Sequence, residues 1–360
     1  MKIGILTHHY IKNYGAFLQT YALQEMLKKE FPNDEVYIIN YINRKHLFIN
    51  ICGWFRFNPK KDSIKSYLQK ITIPHIFNKF EKTYLNTTKK VYTVEQVNKL
   101  AFDCIVIGSD EVWNYDDRKS YDPIKFGKGL ICKNIISYAP SIGKSDLNHI
   151  PLEIKKCINN IKSFSAREDG AEKLVRKLTN CNCKRVLDPT LLYEFPIYHS
   201  KLVDKLKNEN YILMYYCDGL SQNLQDKIID YAKKNQLKIY GAGEYKQWFD
   251  YFPINVNPFE WIEMFRNAQI VFNGTFHGTV FSIKCEKNFL NYTNNPSRIK
   301  KVESLLEELK IAKRNLKTED LYNSKINYKI VNKVLHQKIK ESIKYLNTSI
   351  RTDDDTLNKN

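Results

Sequence analysis

Short apolar runs alternate along this chain with longer stretches in which apolar residues recur at helical spacing. Ile3–Leu6 reads as a buried strand, and the next segment, Ala16–Lys29, carries Ala16, Leu18, Leu23, Met26 and Leu27 at the spacing of a helix. Val36–Tyr41, Cys104–Ile107, Ile135–Ala139, Phe164–Arg167 and Arg185–Leu187 read as further strands, with a helix over Ile154–Lys162. A polar stretch, Tyr198–Asn210, interrupts the pattern. It then restarts with a strand at Tyr211–Tyr216, a helix at Leu224–Asn235, a strand at Leu237–Tyr240, a short helix at Phe259–Asn267 and a strand at Ile270–Phe272. This alternation predicts an α/β protein with parallel sheets. The predicted domains are 1–197 and 198–310, followed by C-terminal helices over 311–347. A frayed tail is expected over 348–360, where Asp353-Asp354-Asp355 and the asparagines bury nothing. Residues 44–90 break the rhythm: they are aromatic, lysine-rich and irregular, and read as an insertion of short helices packed beside the first domain.

Composition narrows the class. A chain of 360 residues with 43% hydrophobic content can bury two cores, and no apolar run approaches the ~20 residues that span a bilayer. The start, Met1-Lys2-Ile3-Gly4-Ile5-Leu6-Thr7, reads as a first core strand rather than a signal peptide, which points to the cytoplasm. The eight cysteines are scattered and mostly sit in apolar runs, as reduced core thiols do. Cys181 and Cys183 lack a second pair or a histidine at metal-site spacing, so no metal is expected. Lys and Arg outnumber Asp and Glu by 57 to 39, a net charge of +18 that attracts anions. The lysines are spread along the chain without an arginine-rich helix or an aromatic RNA-binding signature, which argues against a nucleic-acid partner.

Candidate chemistry falls where strands turn into helices. The loop Gly274-Thr275-Phe276-His277-Gly278 follows the Ile270–Phe272 strand, so its amides and His277 should stand at the ligand edge of a parallel sheet. His277 is a side chain that can give or take a proton near neutral pH. Asn13 and Gly15 join the first strand to the first helix. Gly108-Ser109-Asp110-Glu111-Val112-Trp113-Asn114 ends a buried strand: Ser109 and Asp110 are expected at its edge, Trp113 as a face for sugar stacking, and Asn114 as a paired hydrogen-bonder. The alternative for these residues is an N-cap and a core tryptophan. Ser141 lies in a turn after another strand. Arg167 ends a strand before a helix, where its guanidinium either clamps a carboxylate or phosphate or pairs with a nearby acid.

Taken in order, these segments resemble the polysaccharide pyruvyl transferase family. The resemblance runs through Asn13-Tyr14-Gly15-Ala16, Leu18–Gln24, Gly108–Asn114, Tyr138–Gly143, Ser165–Glu168, Leu187–Leu192, Phe276–Gly278 and Ser297-Arg298-Ile299, from residue 1 to about 310. Two positions depart from the family's pattern: Glu111 where glutamine is usual, and Asn273-Gly274-Thr275 where Asp-Ser is commoner. The resemblance implies two Rossmann-like domains facing a cleft, as in GT-B proteins. It also implies transfer of the pyruvyl group of phosphoenolpyruvate to sugar hydroxyls with release of phosphate, and no cofactor. On that reading His277 and Arg167 are catalytic, and Thr275, Gly278 and Arg298 hold the donor. Asn13, Gly15, Ser109, Asp110, Trp113, Asn114 and Ser141 then serve the acceptor. The acceptor is a cell-surface or exopolysaccharide precursor, lipid-linked if the 44–90 insertion docks on anionic membrane. Two other classes stay open: a nucleotide-sugar glycosyltransferase of the same architecture, and a non-catalytic binding module for anionic glycan or nucleic acid. No two glutamates eight apart stand in the second domain, which counts against the first.

Overall fold

The computed structural model describes residues 1–60, 62–311, 314 and 325–351. The chain forms two compact units. The first is built from Met1–Asn50, Lys82–Glu194 and the described residues from His336 on; the second from Ile51–Glu81 and Phe195–Leu335.

In the first unit, β1 (Lys2–Leu6), β2 (Glu35–Ile38), β3 (Cys104–Ile107) and β4 (Asn134–Ser137) form a parallel sheet in the order β2-β1-β3-β4. Beside it, β5 (Phe164–Ala166) and β6 (Cys183–Arg185) make a two-stranded parallel sheet, with a bridge from Ile136 to Ser163. Ile3, Ile5, Leu6, Val106 and Ile107 are fully buried, as expected of parallel strands covered on both faces. The chain leaves β1 toward β2 on one side and toward β3 on the other, so the carboxyl ends of β1 and β3 flank a topological switch point. The helix Tyr14–Glu30 covers this sheet. Asn13 caps it by accepting from the Ala16 N–H at 3.3 Å, and Lys28 and Lys29 complement its last turn.

The second unit repeats the plan. Here β7 (Tyr211–Tyr215), β8 (Lys238–Gly241), β9 (Ile270–Asn273) and β10 (Asn288–Asn291) are parallel in the order β10-β9-β7-β8. Its switch point lies between β7 and β9. The fold is α/β with two Rossmann-like units, of the GT-B class.

Two expectations change. The insertion forms the helices Arg44–Phe55, Ile64–Lys70 and Ile73–Tyr84, but residues 51–81 belong to the second unit. The contacts show why: the Ile254 N–H donates to Gln69 Oε1 at 2.8 Å, Lys65 lies over the Phe252 ring, and Phe80 packs edge-on against Phe259. The C-terminal segment also departs from the expected layout. The helix Tyr328–Ile350 runs past residue 348, and its end belongs to the first unit. Ser342 Oγ accepts from the Leu187 N–H, Tyr345 OH donates to the Ser137 carbonyl, and Leu346 and Ile350 are buried. The rest of the predicted tail, 352–360, lies outside the described residues. No helix among the described residues is long and apolar enough to cross a membrane.

Candidate functional site

In the second unit β9 ends at Asn273, and the helix Phe276–Lys284 begins three residues later. Thr275 is its N-cap, accepting from the Gly278 N–H at 3.0 Å. Gly274 is required by space, since a Cβ there would collide with the carbonyl oxygens of Tyr216 and Tyr292, which follow β7 and β10. At Gly278 an added Cβ would come to 2.9 Å from Asn273 Oδ1, Thr275 Oγ1 and Tyr215 Cδ1. Asn273 is fully buried; its Oδ1 accepts from Thr279 Oγ1 at 3.1 Å and Asn291 Nδ2 at 3.0 Å. The departure at Asn273-Gly274-Thr275 is therefore accommodated by a neutral amide network and a close backbone approach. His277 stands in the first turn, half-buried, with its ring edge-on to Phe276. Arg298, in the helix Pro296–Glu308, pairs with Asp218 at 3.1 Å in a half-exposed contact of little energetic weight.

The corresponding edge of the first unit is closed by its own side chains. Arg167 is buried, its Nη1 2.6 Å from Asp188 Oδ2 and its Nη2 3.6 Å from Asp110 Oδ1. Burial alone would lower the guanidinium pKa. The charges of Asp188, Asp110 and Glu168 outweigh it, and the net direction is up. Of the two outcomes expected for Arg167, pairing with a nearby acid is the one seen. Ser109 is fully buried and donates to the Ala139 carbonyl at 3.1 Å, so it does not face solvent at the sheet edge. Ser141, also fully buried, donates to Glu168 Oε1 at 2.6 Å.

Trp113 corrects the sequence reading most sharply. It has no exposed surface, its indole N–H donates to the Lys125 carbonyl at 2.8 Å, and its ring stacks on Phe126. A sugar cannot reach that face, and the tryptophan belongs to the core cluster with Ile107 and Val112. Asn114 is nearly as buried, with Nδ2 3.0 Å from Glu111 Oε2 and Oδ1 accepting from Ser145 Oγ. Asp110 keeps about a fifth of its side-chain surface, 21%, and takes a φ of 77°. Asn13 is exposed as the helix cap, and Gly15 is buried in the helix's first turn.

Sequence reading passed over a buried basic cluster after β1. Lys125 Nζ lies 2.9 Å from His8 Nδ1, Tyr10 OH lies 3.2 Å from His46 Nδ1, and His9 Nε2 lies 3.1 Å from Asn40 Oδ1. Burial lowers the Lys125 amine to about 8, against Asp122 and Asp110, and lowers both His9 and His46 to about 4. His8 is driven well below its usual value by burial and then by Lys125. The visible signal was His8-His9 directly after a buried strand.

Comparison with known proteins supplies the context. The chain is similar in structure to a putative UDP-N-acetylglucosamine 2-epimerase from Listeria monocytogenes: TM-score 0.50, 9% identity, covering 96% of this chain and 90% of that one. It is also similar to a UDP-GlcNAc 2-epimerase from Neisseria meningitidis solved with UDP-GlcNAc, at TM-score 0.47 and 10% identity over 100% of both chains. A heptosyltransferase from E. coli solved with ADP aligns at TM-score 0.39 and 9% identity, over 96% of this chain and 100% of that one. At these identities the likeness speaks for the fold alone, and no curated protein sequence matches the chain. A family model for polysaccharide pyruvyl transferase matches residues 13–296, a span that takes in Asn13, the Gly108–Asn114 turn, Arg167 and the capped His277 loop. With those residues standing at the carboxyl ends of its parallel strands, this chain belongs to the polysaccharide pyruvyl transferase family.

Proposed function

We propose that this protein transfers the pyruvyl group of phosphoenolpyruvate to a pair of sugar hydroxyls, forming a cyclic ketal and releasing phosphate. The observation that carries the reading is His277, in the first turn of a capped helix at the carboxyl end of a parallel strand, within the span of the family match. A proton delivered to the methylene carbon turns it into a methyl group and leaves positive charge at the neighbouring carbon, which a sugar oxygen attacks. The C–O bond to phosphate then breaks, and a second hydroxyl closes the ketal. One hydroxyl proton replaces the one given to the methylene, and the other leaves with phosphate. His277 is the proposed acid for the first step. The amides of its helix's first turn and Arg298 suit an anionic donor. Arg167 holds Asp188 tightly and Asp110 loosely, so a donor carboxylate that displaced Asp110 from Nη2 would keep the buried charge compensated.

The acceptor fits a precursor at an anionic membrane. Phe55, Phe57, Ile64 and Leu68 are exposed, and residues 51–80 carry six basic side chains against one acid, Asp62. Exposed aromatic and aliphatic groups among lysines and arginines match an interfacial surface. Single-turnover phosphate release from phosphoenolpyruvate, with and without a sugar acceptor, tests the activity; no acceptor-dependent release would refute it. Co-sedimentation with phosphatidylserine vesicles at low and high salt tests the membrane contact, and no binding at low salt would refute that.

A further inference from the structure

A cavity of about 410 Å³ opens within the second unit, in the usual range of ~300–1,000 Å³ for small-molecule sites. One wall is the carboxyl edge of the sheet: Tyr216 and Asp218 after β7, and Gly243–Lys246 after β8. The other is the 53–70 segment, which contributes Trp54, Arg56, Asn58 and Asp62. The cavity borders the histidine loop through Tyr216, whose carbonyl packs on Gly274.

The charges lining it are balanced on a chain of net charge +18. Three acids, Asp62, Asp218 and Glu244, meet three bases, Arg56, Lys70 and Lys246. Two of the acids are already paired, Asp62 with Lys70 at 3.0 Å and Asp218 with Arg298 at 3.1 Å. The third, half-buried Glu244, accepts from the Tyr216 N–H, and burial pushes its carboxyl up to about 7. A nucleoside diphosphate would bring its charge against Asp62 and Asp218 in this wall, whose cations Lys70 and Arg298 are already engaged. Neutral, hydroxyl-rich ligands suit it better. Carboxyl and amide groups supply paired hydrogen bonds, and Trp54, Tyr216 and Tyr245 supply flat apolar faces for C–H surfaces.

We infer that this cavity is a saccharide subsite that holds a neutral sugar residue of the acceptor glycan beside the His277 loop. The inference rests on the pyruvyl-transfer reading for the identity of the glycan as acceptor, and on the cavity alone for its chemical class. It also moves sugar recognition from the buried Trp113 to Trp54, on the segment that carries the proposed membrane surface.

Saturation-transfer NMR and calorimetry on the full chain, with lactose and N,N′-diacetylchitobiose as neutral probes and UDP as the anionic one, test it. At least one disaccharide should bind. Trp54→Ala should weaken it about tenfold, the scale of one lost aromatic contact, and Asn58→Ala should weaken it with the thermal melt unchanged. Neither disaccharide binding, or UDP binding with the same sensitivity to Trp54→Ala, would overturn the proposal. Phosphate release from phosphoenolpyruvate is measured in parallel. Release without disaccharide binding removes the subsite and leaves the transfer reading. Binding without release keeps the subsite and removes the transfer reading.

Discussion

The carboxyl edges of the two parallel sheets start from the same parts and end differently. In the first unit the turns after β3, β4 and β5 direct their polar groups inward: Ser109, Ser141 and Arg167 are buried against Ala139, Glu168 and Asp188. In the second unit the turns after β7, β8 and β9 leave Glu244 and His277 half-buried and a cavity between the turns and the 53–70 segment. A polar residue at a strand end is thus not by itself a ligand contact. Where neighbouring strand ends carry complementary acids and bases, they satisfy one another, and a ligand reaches them only by displacing a partner, as at Asp110 on Arg167. Close backbone contact through a glycine occurs on both edges, at Gly108 against Tyr138 and at Gly274 against Tyr216 and Tyr292, while His277 stays half-buried beside the second.

The contrast breaks most directly at His277. His277→Gln should lower turnover by about 10²–10⁴-fold with the fold intact, the range for loss of a general acid. Near-normal phosphate release from that variant would return the histidine to a structural role.

On the closed edge substitutions should read out in stability. Arg167→Ala leaves Asp188 buried without its closest cation and should cost about 3–5 kcal/mol in urea unfolding. Trp113→Ala empties a fully buried site and should cost about 3–5 kcal/mol as well. A Trp113→Ala protein of wild-type stability with a raised acceptor KM would restore the sugar-platform role.

The two units should also answer pH in opposite directions. His9 and His46 sit at about 4 in the fold against an ordinary 6.5. The stability they contribute is present above pH 6.5 and falls as pH drops toward 4. Glu244 is raised from 4.5 to about 7, so its contribution is present below pH 4.5 and fades as pH rises through 7. Urea unfolding across pH 4–8 should show His46→Gln flattening the acid loss and Glu244→Gln removing the opposing slope. Unchanged pH profiles in both variants would contradict these environments.

The smallest expected effect is at the cap of the histidine helix. Thr275→Ala removes the acceptor for the Gly278 N–H and should cost about 1 kcal/mol. If the loop's amides bind the donor, phosphoenolpyruvate affinity should fall in the same variant, as calorimetry would show.

Most strand positions could be read from one-dimensional pattern because parallel strands are buried on both faces and appear as unbroken apolar runs, such as Cys104–Ile107 and Ile270–Phe272, whereas the edge strand Asn288–Asn291 was not anticipated. The strand-to-helix turns were legible too: Asn13 and Thr275 cap where they were expected to start helices. Family membership followed from the order of the motifs along the chain, several of which, such as Phe276–Gly278, mark such turns. Burial was not legible, because it depends on partners distant in the chain. Trp113 reads as a platform until Lys125 and Phe126 cover it, and Arg167 reads as a clamp until Asp188, 21 residues on, meets it.

The sequence by itself determined the α/β alternation, the two-unit plan and the position of His277, because all three rest on local pattern and backbone chemistry. Only the tertiary structure decided which unit takes residues 51–81, where the C-terminal helix ends, and which strand-end side chains keep a surface to offer. Those outcomes depend on long-range packing, such as Gln69 on Ile254, Ser342 on Leu187 and Asp188 on Arg167. No periodicity in the chain encodes such pairs, since each forms only when two distant segments fold against each other.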